Sequence, residues 1–591
     1  MEIKEIEKTA YQFLEERAKK IGNNIAKNYY GNKVTYDEFR DNISKTAKAF
    51  NGMGISKNNR VGVIMPNIPE TSYIQYGLNK IGAVADYIDP RTKPIVLREF
   101  VEREKIDMIV CASECYDGII KPVEHDIHEM LKIKDIVVPS SFDSLPLGLK
   151  QLMQLKSFIK NNNSEYTLNR ISYKDFIKQS EKMIPKTVDY SKEQLAIITH
   201  SSGTTGIPKP IPISNENMNA LVYQHDLLDL GLEEGMKFLH ILPYFAAYGS
   251  VNSEHLGSCM GMEMLEIPLF DINKLAELVL KTKTNVIIGI PSWWEIMIDS
   301  PVMKNADLSF LKIAVAGGDS LDPKTELKIN EFLATHNAKC VLSKGHGMSE
   351  ISGCGTYTTR DCNNLGDVGR PLPFTRYEVF DEEKGILLPF DGTREITGEA
   401  YITGPSMSSG VLDGREVIKI KTIDGERYIQ SGDIITKRLD GSIHFEERAD
   451  RGFTRFDGYK IHPSKIEEII NKHPAVKDCI IVNYYEEKYF GNMPIVHVVL
   501  NDDCSIEKED VINEIIFGTM QNDKSITTRD IPIKWNFRDS IPLTLMSKKN
   551  YKTLIEEGIN GNEYTIDIEE DNMRINNINI INPNSKKKIK K

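Results

Sequence analysis

An α/β fold with mostly parallel sheet is predicted by two patterns. Short apolar runs closed by glycine or proline recur along the chain, and amphipathic helical stretches separate them. In order, Thr35 and Glu38 stand at capping-box spacing. Phe39, Ile43, Ala47 and Phe50 then recur at helical period, and Gly52 and Gly54 close the run. "RVGVIM" (60–65) reads as a buried strand and "ETSYIQYGLNKIGAV" (70–84) as a helix. "TNVIIGI" (284–290) and "KIAVAGG" (312–318) are further short strands. The span 140–170, rich in Lys, Leu, Ser and Asn, reads as an excursion of solvated helix and loop. No internal repeat is evident.

Bulk properties exclude several classes of function. At 591 residues the chain is long enough for a large domain and a smaller one, and 40% hydrophobic residues supply a core. A net charge of −11 argues against nucleic acid as a partner. No apolar run approaches the roughly 18 residues of a membrane span. The first twenty residues are charged throughout and lack the apolar core of a secretory signal. The eight cysteines are scattered, without a CxxC, as reduced thiols are, so a cytoplasmic location is expected.

The stretch "HSSGTTGIPKP" (200–210) carries the first chemical signal. It follows the apolar run 195–198. A strand entering a Gly, Ser and Thr loop makes a phosphate cradle, in which backbone N–H groups and hydroxyls donate and a lysine neutralises charge. It is not a Walker A loop, because Lys209 lies between Pro208 and Pro210, and no GxGxxG is present. Alone, such a loop reads equally well as a surface connection.

Its companions decide the matter. "GHGMSE" (345–350), "GEAYITGPSMSSG" (398–410), "YIQSGD" (428–433), "ERADRGFTRFDGYKIHPSKIEE" (447–468) and "PLTLMSK" (542–548) follow in that order. Together these motifs resemble those of the adenylate-forming superfamily, and the likeness runs from "VTYDEF" (34–39) to "IPLTLMSKK" (541–549). Within it the chain is most similar to acyl-CoA synthetases acting on fatty or aryl acids.

The resemblance implies a large N-terminal domain of mixed sheets flanked by helices (1–449). A small mobile α+β domain (450–570) and a disordered basic tail (571–591) follow. It implies ATP, Mg²⁺ and coenzyme A as cofactors. Ser201, Ser202, Gly203, Thr204, Thr205, Gly206 and Lys209 are expected to hold the β- and γ-phosphates. Glu350 matches the magnesium-binding position, Ser349 a contact to the α-phosphate, and Gly347 lies between them and His346. Gly317, Gly318 and Asp319 match the adenine-lining segment, and His346 replaces the usual tyrosine, with an imidazole that stacks on adenine. Asp433 matches the ribose-binding aspartate and Arg448 the arginine that reaches ribose or phosphate. Lys548 matches the catalytic lysine bridging α-phosphate and carboxylate, Asp450 the hinge, and Gly458 the loop presented to the thiol.

Departures from the pattern are His200, Pro210, Asn215, Ala246, Glu447 and Ser547. Ala246 stands where an aspartate grips the ammonium of amino-acid substrates, which argues against that class. The pocket candidates Tyr244, Phe245, Ala246, Ala247, Tyr248, Trp293 and Trp294 read equally as ordinary core; lining a pocket, they suit an alkyl or aryl acid. The expected reaction is acid activation to an acyl adenylate, then transfer to CoA. Loading of a separate carrier protein is the alternative, and a non-catalytic nucleotide-binding scaffold a third reading.

Overall fold

The computed structural model describes residues 3–146, 148–149, 168–178, 187–201, 208–268, 271–381, 384–449, 451–455, 460–489, 491–520, 523, 526–543, 549–558, 563–571 and 574–582. Two seven-stranded sheets form its centre. In the first, Leu342–Lys344, Ile313–Ala316, Val286–Gly289, Lys237–His240, Glu263–Glu266 and Ile25–Tyr29 run parallel, and Asn32–Thr35 closes the edge antiparallel. In the second, the order is Asn169–Ser172, Asp135–Val138, Met108–Cys111, Arg60–Ile64, Val84–Tyr87, Leu195–Ser201 and Lys209–Ser214. Only its last pair is antiparallel.

The predicted elements form close to where the patterns placed them, except that the helix expected over 70–84 ends at Lys80, Gly82 turns at φ +74° and Val84 begins the next strand. Thr35 Oγ1 accepts from the Glu38 amide at 3.3 Å, and the Glu38 carboxylate accepts from the Thr35 amide at 2.8 Å. This reciprocal cap starts the helix Tyr36–Gly52, whose Phe39, Ile43, Ala47 and Phe50 are fully buried. Gly54 ends the run in the left-handed region at φ +86°. The helix Pro69–Lys80 is buried along nearly its whole length, and Gly77 lets it approach the helix at Thr46 and Ala47.

A smaller, largely antiparallel sheet carries Arg376–Asp381, Ile396–Thr403 and the long strand Glu426–Lys437, which pairs with Ile443–Arg448. A five-stranded sheet, from Val476–Glu486 to Arg574–Ile581, forms the C-terminal part. Its core of Ile466, Ile469, Val496, Val498, Ile512 and Trp535 shares no residue with the cores of the two large sheets. The expected tail from 571 is thereby corrected in part. Arg574–Ile581 is a strand paired antiparallel with Tyr564–Asp571, in keeping with the alternation of Ile578 and Ile580 with asparagines. Residues 150–167 of the expected excursion lie outside the described residues.

Candidate active site

Parallel strands present their carboxyl ends together, and loops leaving those ends build the site. Ser201 ends the strand Leu195–Ser201, and Lys209 opens the returning strand directly opposite it. The two ends of the phosphate loop are therefore held in register. Ser202, Gly203, Thr204, Thr205 and Gly206 fall outside the described residues, as do Asp450, Gly458 and Lys548.

The first large sheet supplies the facing loops. Ala316 leads into Gly317 and Gly318, the latter at φ +79°. A side chain at Gly317 would press on the Tyr248 hydroxyl at 3.0 Å, so glycine opens the floor here. Asp319 turns back on its own loop, its Oδ1 accepting from the Ser320 amide at 2.9 Å. Lys344 leads into 345–350, where Gly347 is tightly packed: a Cβ there would collide with the Gly353 carbonyl oxygen. Ser349 and Glu350 open a short 3-10 turn, and the Glu350 carbonyl accepts from the Ser408 amide at 2.8 Å.

Asp433 and Arg448 sit opposite one another on paired strands, and Arg448 Nη1 donates to Asp433 Oδ1 at 2.7 Å. Gly432 allows this approach at φ +71°, since a Cβ would lie 3.2 Å from the Arg448 guanidinium. His346 Nε2 donates to Asp433 Oδ2 at 2.9 Å, while His346 Nδ1 lies 2.8 Å from the Tyr377 hydroxyl. The imidazole expected to stack on adenine thus has both edges engaged with protein, and one face lies against Phe445.

Charge follows this geometry. Burial acts to raise the Asp433 carboxyl, but hydrogen bonding and charge from His346, together with Arg448, hold it below the usual carboxylate range. Glu350 is raised, chiefly by its removal from water and then by Asp433, while Arg448 and Lys209 pull it down. Lys209, Glu350, Asp433 and Arg448 therefore share one electrostatic neighbourhood, drawn from four separate motifs. A cation beside Glu350 would hold it ionised, and its hard oxygens suit Mg²⁺.

Several contributors were not singled out in the sequence. Glu399 accepts from the Gly432 amide at 3.0 Å and from Gln430 Nε2 at 3.1 Å, which shapes the Ser431–Asp433 turn. It lies inside a quoted motif, but a lone glutamate there carries no signal of its role. Tyr377 has no motif at all.

The pocket candidates divide. Tyr244 is buried, with its hydroxyl on Ser72 Oγ at 2.7 Å and on Glu254 at 3.0 Å, and Trp294 is buried with its indole N–H on the Val315 carbonyl at 3.1 Å. With the buried Ala247, these are core. Phe245, Ala246, Tyr248 and Trp293 remain half-buried. Tyr248 spans from Gly317 to the Gly289 carbonyl, and Trp293 packs on Gly289.

The fold is that of the adenylate-forming enzymes. Solved structures share it: an anthranilate CoA ligase in complex with anthranoyl-AMP has a TM-score of 0.75 at 17% identity, covering 93% of this chain and 96% of that one. ATP-bound MatB from Rhodopseudomonas palustris has a TM-score of 0.74 at 18% identity, covering 93% and 99%. The chain belongs to the AMP-binding enzyme family, which matches residues 14–412. It is similar to a long-chain-fatty-acid–CoA ligase of Bacillus subtilis, 25% identical over 93% of this chain and 94% of the relative. It is also similar to 4-coumarate–CoA ligase 1 of Solanum tuberosum, 25% identical over 81% of each.

Proposed function

We propose that the protein is an AMP-forming acid–CoA ligase that joins an alkyl or aryl carboxylic acid to coenzyme A. The observation that carries this reading is the convergence of Lys209, Glu350, Asp433 and Arg448 beside the root of the phosphate loop. Family membership and CoA ligases among the relatives support it.

A carboxylate is a poor electrophile, because oxide is a bad leaving group. In the first step its oxygen attacks the α-phosphorus of ATP, the bond to the β-phosphate oxygen breaks, and pyrophosphate leaves. In the second, the CoA sulfur attacks the acyl carbon, the bond to AMP breaks, and the thiol proton passes to solvent. Negative charge grows on phosphate in the first step, so fixed cations and donors lower its barrier. Lys209 and the loop 201–206 hold the outer phosphates, Glu350 holds Mg²⁺, which offsets phosphate charge, and Ser349 meets the α-phosphate. Asp433 accepts from the ribose hydroxyls and Arg448 reaches ribose or phosphate. Gly318 and Asp319 line the adenine side.

We assign residues 1–449 to a nucleotide-binding domain and 450–570 to a domain that pivots at Asp450. Lys548 serves the first step, and Gly458 admits the pantetheine arm to the second. The separate C-terminal core supports that division. Among the described residues no helix is long and apolar enough to cross a membrane, and none of the eight cysteines is in a disulfide. Both facts support a reaction carried out in the cytoplasm.

The test is acid-dependent ATP–pyrophosphate exchange, followed by AMP release on addition of CoA, across a panel of carboxylic acids. Exchange with an alkyl or aryl acid and Mg²⁺ is expected. No exchange with any alkyl, aryl or amino acid would overturn the reading.

A further inference from the structure

Among the described residues, two groups of buried acidic and histidine side chains lie outside the nucleotide site, and they differ in one decisive respect. The first joins His240, Glu254 and Glu266, all fully buried. It holds its own cation. Lys27 Nζ reaches Glu254 at 2.6 and 2.7 Å and Glu266 at 3.2 Å, and His240 Nδ1 donates to Glu266 at 2.9 Å.

The second joins Asp86, Glu104 and His200 at the root of the phosphate loop. His200 Nδ1 donates to the Tyr87 carbonyl at 2.8 Å, which turns Nε2 inward. Nε2 faces Glu104 Oε2 at 2.9 Å and Asp86 Oδ1 at 3.7 Å. Arg103 binds Glu104 through the other oxygen, Oε1, and so stays outside the cluster. Asp86 is fully buried, and among the described residues no N–H or O–H donates to either of its oxygens. A buried carboxylate without a donor is costly, and two carboxylates and an imidazole facing one another need positive charge among them, supplied by a metal ion or by protons.

We propose that Asp86, Glu104 and His200 form a binding site for a divalent transition-metal ion of the zinc class, distinct from the Mg²⁺ that accompanies ATP. The donor set of one imidazole and two carboxylates suits such an ion. Metal-bound histidines commonly donate their second ring N–H to a backbone carbonyl, as His200 does to Tyr87. Tetrahedral ligand atoms at zinc distances stand ~3.3 Å apart. The 2.9 and 3.7 Å separations here bracket that value.

The ion would tie together the strand Val84–Tyr87, the residue following the helix Pro94–Arg103 and the end of the strand Leu195–Ser201. Arg103 extends the unit to the far side of the loop, donating to the Pro208 carbonyl at 3.0 Å. Both stems of the phosphate loop are thereby fixed to one point. His200 and Pro210, two departures from the family pattern, face each other across the ladder at this same place.

The test uses the full chain without a histidine tag and without nucleotide. It is treated with chelator, incubated with Zn²⁺ or Co²⁺, desalted and analysed by elemental mass spectrometry, with the visible absorption of the Co²⁺ form as a second readout. Close to one equivalent is expected, with the intense ligand-field bands of four-coordinate Co²⁺. Asp86→Asn and His200→Gln should each lose the metal and the bands, while circular dichroism shows them folded. Wild-type protein that retains neither ion would overturn the proposal, and a proton would then be what sits between the carboxyls. Folded variants that bind as much metal as wild type would overturn it equally. The measurement does not depend on the acid–CoA ligase reading, which stands or falls on pyrophosphate exchange.

Discussion

Asp433 shows how much one side chain gains from its neighbours. Its carboxylate is buried and ionised because His346 and Arg448 each donate to one oxygen. Hydrogen bonds to charged groups are worth about 1.5–3 kcal/mol. Asp433→Ala is therefore expected to weaken AMP binding by roughly 10- to 150-fold by calorimetry. Unchanged affinity in a folded variant would remove Asp433 from the site. His497 gives a different kind of residue-scale prediction. Burial first, and then the charge of Arg538, lower its imidazole from 6.5 to about 4. Between those values the unfolded chain binds the proton and the folded one does not. Stability is complete above pH 6.5 and falls as pH drops towards about 4, by up to ~3 kcal/mol. His497→Gln should flatten that part of the urea-stability profile, and an unchanged slope would show that another group carries it.

At the scale of elements, glycine contacts and helix caps set the limits. Gly347 lies where the turn 345–350 meets the Gly353 carbonyl, with no room for a methyl group. Gly347→Ala should cost about 1–3 kcal/mol and also lower nucleotide affinity, because Ser349 and Glu350 ride on the same turn. A variant with wild-type melting and binding would show that the turn can shift freely. Thr35→Ala, far from the site, should cost about 1 kcal/mol in stability and leave nucleotide binding alone. A loss of nucleotide affinity there would show that the helix Tyr36–Gly52 is coupled to the site. These two elements also show what the sequence made legible. The capping box, the helical period of Phe39, Ile43, Ala47 and Phe50, and the contiguous motifs around Glu350 and Asp433 are local patterns, so they could be read directly. Tyr377 on His346, Glu399 under Gly432, and Asp86 beside His200 could not. Each joins residues distant in the chain, and only strand pairing and crossover connections decide which of many tyrosines or carboxylates arrives. Whether Tyr244 and Trp294 face pocket or core was open for the same reason: an aromatic run shows apolar character, but not which rings turn into the core.

At the scale of the whole molecule, two half-reactions make opposite demands on one site. Adenylation needs a cation against the α-phosphate and carboxylate, with water excluded. Thiol transfer needs that space opened to a long, thin pantetheine arm. A single rigid arrangement serves one demand poorly, whereas a small domain with its own core can present two faces in turn. The cluster of Ile466, Val496, Ile512 and Trp535 gives the C-terminal part a core of its own, as the proposed rotation requires. Lys548 and Gly458 are assigned to its two working faces, so their substitutions should separate the steps. Lys548→Ala is expected to lose adenylate formation by roughly 10²–10³ in rate, the scale of one preorganised donor, yet still convert a supplied acyl adenylate to thioester. Gly458→Leu should form adenylate normally and fail with CoA, because the added side chain obstructs the arm. Paired single-turnover measurements, begun once from acid plus ATP and once from synthetic acyl adenylate plus CoA, distinguish the cases. If both folded variants lost both steps to the same extent, domain rotation would be the wrong account. If Gly458→Leu kept full transfer to CoA, the thiol would enter by another path, and a carrier protein would become the acceptor to test next.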